Sequence, residues 1–115
     1  MASILLIDDD EGLRESLLDI LQDCGFEVTA VGTLAEARQA LQTTKLSLII
    51  SDVTLPDGSG VSWIIEVRAA QPTLPLFLMT GLSEGDLPPI PAGITLLTKP
   101  VDPARLISLL KAQHP

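Results

Sequence analysis

Asp8 and Asp9 close the apolar run Ile4-Leu5-Leu6-Ile7, Asp52 closes Leu48-Ile49-Ile50-Ser51, Thr80 closes Leu76-Phe77-Leu78-Met79, and Lys99 follows Ile94-Thr95-Leu96-Leu97-Thr98. Carboxylates gathered in one place repel, so either their pKa values rise or a cation sits among them. An all-oxygen set without His or Cys suits Mg2+. A lysine and a hydroxyl turned to the same point would stabilise an anion with several oxygens, such as a phosphoryl group. A carboxylate nucleophile, a hard metal and a lysine together describe phosphorylation of an aspartate, and Asp52 is the carboxylate expected to carry it.

Such groups meet only if the elements between them bring them together. Ser3-Ile4-Leu5-Leu6-Ile7 is continuously apolar, the pattern of a strand buried on both faces. Leu13, Leu17, Ile20, Leu21 and Cys24 then recur at helical spacing, with Gly25 as a stop and Cys24 expected to be buried. Asp10 and Glu11 suit the positive end of that helix. Phe26 to Val31 alternates apolar with mostly polar residues, as in a half-exposed edge strand. Thr33-Leu34-Ala35-Glu36 matches a capping box, with Leu34, Ala37 and Leu41 facing inward beyond it.

The strand ending at Asp52 is turned away sharply by Pro56 and Gly58. The next helix places Val61, Ile64, Ile65 and Arg68 on one face and ends at Pro72; Trp63 lies off that stripe, and core packing is the expected use for it. Residues 74–80 make a fourth strand and 94–99 a fifth. Asp102-Pro103 then caps a last helix that turns Leu106, Leu109 and Leu110 inward. Between Thr80 and Lys99 another helix is due. The segment from Gly81 to Gly93 instead holds Gly81, Gly85, Pro88, Pro89, Pro91 and Gly93, which leaves room for about one helical turn. Alternating strands and helices predict a doubly wound α/β fold with a five-stranded parallel sheet, all strand ends pointing to one edge where ligands bind.

The 115 residues suit one domain over positions 1–115, and a hydrophobic fraction of 46% argues for a packed core. Fifteen acidic against seven basic residues give a net charge of −8, which opposes direct contact with nucleic acid. No apolar stretch approaches the ~18 residues of a membrane span, and no basic-then-apolar pattern at the start suggests a signal peptide. With the single Cys24 this reads as a cytoplasmic protein, and His114, without a second His, is given no role.

Ile7-Asp8-Asp9, Ser51-Asp52 followed by Leu55-Pro56-Asp57-Gly58, Met79-Thr80-Gly81 and Lys99-Pro100 stand in the order of one family's motifs. By them the chain resembles, over its whole length, a receiver domain of a two-component response regulator. The resemblance implies a flavodoxin-like sheet of order 2-1-3-4-5 and Mg2+-dependent transfer of a phosphoryl group from a phosphohistidine to Asp52. It implies that Asp9, Asp52 and the Thr54 backbone carbonyl hold Mg2+, with Asp8 helping mainly through water. Thr80 and Lys99 would contact the phosphoryl oxygens, and the Lys99–Pro100 bond would be cis. The implied partner is a histidine kinase or a histidine phosphotransfer protein, and the implied role is a signalling switch rather than a metabolic enzyme.

Leu96 stands where receivers usually carry a tyrosine or phenylalanine, and the degenerate fourth helix lies next to it. Both departures resemble an atypical subgroup of receivers and fall on signalling, so the segment from Gly81 to Gly93 is expected to respond to phosphorylation. Two other readings stay open. Asp8-Asp9-Asp10 contains the Asp-x-Asp of a haloacid-dehalogenase-type phosphatase with Asp8 as nucleophile, and an unphosphorylated pseudo-receiver would serve only as a scaffold.

Overall fold

The computed structural model describes residues 3–82 and 84–113, so His114 lies outside the described residues. The elements are β1 (Ser3–Ile7), α1 (Glu11–Asp23), β2 (Glu27–Val31), α2 (Leu34–Thr43), β3 (Leu48–Asp52), β4 (Thr54–Leu55), β5 (Gly58–Ser59), α3 (Gly60–Ala70), β6 (Leu76–Thr80), β7 (Thr95–Thr98) and α4 (Pro103–Gln113). Between β6 and β7 the chain makes a single 3-10 turn, Glu84–Asp86, in place of a full helix. Among the described residues no helix is long and apolar enough to cross a membrane.

The main sheet runs β2-β1-β3-β6-β7 with every pairing parallel. This is the predicted order 2-1-3-4-5 once the antiparallel hairpin β4–β5, two residues per strand, is left out of the numbering. The apolar runs of β1, β3 and β6 divide between two cores because successive side chains point to opposite faces. Leu5, Ile7, Ile49, Leu76 and Leu78 meet α2 and α3 on one face, while Ile4, Leu6, Leu48, Ile50, Phe77 and Met79 meet Leu17 and Leu21 of α1 and Leu106 and Leu110 of α4 on the other.

Helix starts follow local chemistry. The Asp10 side chain accepts from the Leu13 amide at 3.2 Å, and the Thr33 hydroxyl accepts from the Glu36 amide at 3.2 Å while donating to Glu36 Oε1 at 3.1 Å. The Asp102 carboxylate accepts from the Ala104 amide at 3.1 Å, as its place before Pro103 predicts.

Two side chains depart from the predicted pattern. Cys24 is the C-cap of α1 and is exposed rather than buried. Gly25, at φ +92°, turns the chain there, and the Phe26 amide reaches back to the Leu21 carbonyl at 3.2 Å, so Phe26 packs on the core instead. In α3, Trp63 is 2% exposed, in the core as expected, while Ile65, predicted to face inward, is 47% exposed. The inner stripe is Gly60, Trp63, Ile64 and Val67 with Val61 beside it, one position earlier than a stripe begun at Val61.

Gly60 sets that phase. A Cβ built there would lie 1.8 Å from the Asp52 carbonyl oxygen and 2.9 Å from its carbon, and the Gly60 amide donates to the Val53 carbonyl at 2.8 Å. No side chain fits between the start of α3 and the end of β3. Gly60→Ala is therefore expected to cost about 2–3 kcal/mol of stability, read from urea unfolding, because the backbone of β3 or α3 must shift.

Candidate functional site

The ends of β1, β3, β6 and β7 bring Asp8, Asp9, Asp52, Thr80 and Lys99 to one edge of the sheet, as their positions predict. The Asp8 amide extends the β1 ladder by donating to the Val31 carbonyl at 3.1 Å. Its side chain is fully buried, and its Oδ1 accepts from the Asp10 amide at 3.0 Å. Asp52 and Thr80 are also buried, whereas Asp9 and Thr54 are exposed at the rim. A cleft of about 260 Å³ opens between Asp9, Asp52, Thr54, Met79, Thr80, Gly81, Leu82 and Lys99.

Lys99 Nζ lies 2.7 Å from Asp52 Oδ1 and 3.6 Å from Asp8 Oδ1. The Lys99 amide donates to the Thr80 carbonyl at 2.7 Å, and the following Lys99–Pro100 bond is cis. The remaining oxygens, Asp8 Oδ2 and Asp52 Oδ2, are buried without a hydrogen-bond partner. An orphaned buried carboxylate oxygen is costly. Asp8, Asp9 and Asp52 each offer an oxygen, all within 4.8 Å of one another, a donor set of the kind that suits a hard divalent cation.

The titration of these groups reflects their crowding. Burial and the neighbouring Asp8 carboxyl push the Asp52 carboxyl up to about 7, against the pull of Lys99. Burial works against the Lys99 charge as well, but its pairing with Asp52 and Asp8 outweighs that and holds the ammonium above its usual range.

Three supporting contacts were not legible in the sequence. Arg14 Nη1 donates to the Asp8 carbonyl at 2.8 Å, the buried Ser51 hydroxyl donates to the Asp52 carbonyl at 3.0 Å, and the Asp57 carboxylate accepts from the amides of Leu34 and Ala35 at 2.9 and 3.1 Å. Each joins residues by tertiary approach, or turns a side chain onto backbone within a strand, and the partner in each contact is not recorded by any periodicity.

The sequence profile of the response regulator receiver domain matches residues 4–111. The chain belongs to this family. It is 38% identical over 117 residues to the transcriptional regulatory protein GltR of Pseudomonas aeruginosa, a match covering 96% of the chain and 48% of GltR. It is 31% identical to the transcriptional regulatory protein FixJ of Bradyrhizobium diazoefficiens, over 95% of the chain and 55% of FixJ. The chain thus spans about half the length of these relatives. Among solved structures, the chemotaxis response regulator CheY4 of Vibrio cholerae superposes with a TM-score of 0.84 at 28% identity, covering 98% of each chain. The receiver domain of the hybrid histidine kinase CckA does so with a TM-score of 0.82 at 27% identity, covering 99% of this chain and 100% of that one. As a receiver domain this chain is a signalling module of two-component systems.

The buried carboxylate pair predicts a pH signature. Because the folded Asp52 pKa lies above the ordinary 3.8, the folded state holds a proton that the unfolded chain releases, and stability falls as pH rises from about 4 through about 7. In metal-free buffer, Asp52→Asn is expected to melt roughly 5 °C higher than the parent at pH 8, with the gain vanishing below pH 4.

Proposed function

We propose that Asp52 accepts a phosphoryl group from a phosphohistidine of a histidine kinase or phosphotransfer protein, with residues 1–115 acting as a single receiver unit. The carboxylate oxygen attacks phosphorus as the nitrogen–phosphorus bond breaks and its electron pair returns to the ring; with the other ring nitrogen protonated, this gives an aspartyl phosphate and a neutral imidazole on the partner. The observation that carries this reading is the geometry of Asp52: one oxygen 2.7 Å from the Lys99 ammonium, the other without a partner, at the wall of an open cleft.

Asp9, Asp52 and the Thr54 carbonyl are the proposed Mg2+ ligands, with Asp8 acting mainly through water. When bound, the ion would offset the negative charge of the carboxylates and of the incoming phosphoryl oxygens. Lys99 is placed to follow the charge from the Asp52 carboxylate to a phosphoryl oxygen. Thr80 Oγ1 accepts from the Leu82 amide at 2.9 Å, which leaves its own proton for a phosphoryl oxygen. The only chemistry proposed for the chain is on itself, the gain and loss of this phosphoryl group.

The geometry favours Asp52 over the phosphatase reading, in which Asp8 is the nucleophile. Asp8 has no exposed surface and does not line the cleft. A net charge of −8 supports a protein partner rather than direct contact with nucleic acid, and we place the chain in the cytoplasm. A transcriptional role, such as the names of GltR and FixJ state for those relatives, would draw on segments of a longer protein.

The Thr80–Leu82 bond also supplies a route for the signal. A hydroxyl that turns to a phosphoryl oxygen takes the Leu82 amide with it, and so the start of residues 81–93. Leu87, Ile90 and Leu96 pack against the α2–α3 core, so movement there is felt in that layer rather than through an aromatic ring on β7.

Incubation with acetyl phosphate and Mg2+ should add one phosphoryl group at Asp52, seen by mass spectrometry, and Asp52→Asn should take up none. Label at Asp8 would instead establish the phosphatase reading, and absence of label the scaffold. Amide exchange across residues 81–93 should change when a phosphoryl mimic binds; unchanged exchange would mean that the signal leaves by another surface.

A further inference from the structure

Between Asp52 and α3 the chain makes the hairpin β4–β5, in which Thr54 pairs with Ser59 and Leu55 with Gly58. Its base is closed by the Val53 amide on the Met79 carbonyl at 2.9 Å and the Gly60 amide on the Val53 carbonyl at 2.8 Å. Its tip carries Pro56 and Asp57, both exposed. The tip is held to the rest of the molecule by the Asp57 carboxylate, whose two oxygens accept separately from the amides of Leu34 and Ala35 in the first turn of α2. Gly58, at φ +152°, brings the backbone beside the Leu34 side chain, where an added Cβ would lie 3.0 Å from Leu34 Cδ1.

Helix α2 has a cap of its own in Thr33 and Glu36, so Asp57 completes a cap that is already started. What Asp57 adds is a fixed distance between α2 and the hairpin. Thr54, three residues before it, lines the cleft beside Asp9 and Asp52. We propose that Asp57 is a positioning residue for the cation site: by clamping the hairpin tip to the first turn of α2, it holds the Thr54 peptide with its carbonyl toward Asp9 and Asp52. The charge fits, since a carboxylate gains from free amides at the positive end of a helix, and the Asp57 carboxyl is held below the usual range chiefly by its bond to the Leu34 amide. Coupling of this kind is reciprocal, so cation binding tightens the start of α2 in turn.

The proposal rests on the Mg2+-dependent reading above, and the test separates the two. Mg2+ is titrated calorimetrically into the wild-type chain, Asp57→Ala, Asp57→Asn and Thr33→Ala, with a melting curve for each. Asp57→Ala and Thr33→Ala both remove a cap of α2 and both lower the melting temperature, but only Asp57→Ala frees the hairpin. Asp57→Ala is expected to bind Mg2+ roughly tenfold more weakly, as for other residues that orient a ligand. Asp57→Asn, which keeps one carbonyl acceptor, should fall between, and Thr33→Ala should stay within about twofold of wild type. In the wild-type chain, Mg2+ should slow amide exchange at Leu34 and Ala35. An unchanged affinity in both Asp57 variants, or an equal loss in Asp57→Ala and Thr33→Ala, overturns the positioning role and leaves the Mg2+ reading standing. A wild-type chain that binds no Mg2+ at millimolar concentration overturns both.

Discussion

The structure turns on two buried carboxylates facing one ammonium. Asp8 and Asp52 lie where water cannot stabilise both charges, and Lys99, arriving from the far end of the sheet, reaches both but leaves an oxygen of each unanswered. Such a cluster is unstable by itself, and that is its use. In the proposed function it would attract a divalent cation and, with that cation, accept a phosphoryl group carrying further negative charge. A chain selected only for stability would have apolar residues at these strand ends.

The fold meets the cost of that cluster by rigidity around it. The parallel sheet aligns all four strand ends, and the apolar cores on both faces hold β1, β3 and β6 in register. Backbone contacts then fix what side chains alone would not. Gly60 lets α3 start against the Asp52 carbonyl, Ser51 bonds that same carbonyl, and Arg14 bonds the carbonyl of Asp8. The acidic groups therefore stand on strand ends whose own polar atoms are satisfied, so the strain stays at the carboxylate oxygens.

The connection between β6 and β7 is spare. A single 3-10 turn stands where a helix would complete the alternation, and Arg68 Nη1 of α3 ties the end of that segment by donating to the Ala92 carbonyl. The segment is thus held at its start by Thr80 and near its end by Arg68, with Leu87 and Ile90 as apolar anchors between. Leu96 is half-buried on the same layer.

Much of this was legible in the residues themselves. Unbroken apolar runs such as Ile4 to Ile7 and Leu48 to Ile50 have the pattern of strands covered on both faces, and a parallel sheet sends their polar ends to a common edge. Asp8, Asp9, Asp52, Thr80 and Lys99 could therefore be read as a group from their positions alone, as could the short connection rich in proline and glycine. The motifs then named the family. What only tertiary structure decided are contacts with no sequence period. The phase of α3 follows from Gly60 meeting β3, which exposes Ile65; the turn at Gly25 sends Phe26 inward and leaves Cys24 outside. Asp57, within Pro-Asp-Gly, reads locally as a turn residue, and its partners on α2 are more than twenty residues away in sequence. Local pattern records which way a side chain must face; which backbone it meets there depends on how separate elements dock, and no neighbouring residue carries that information.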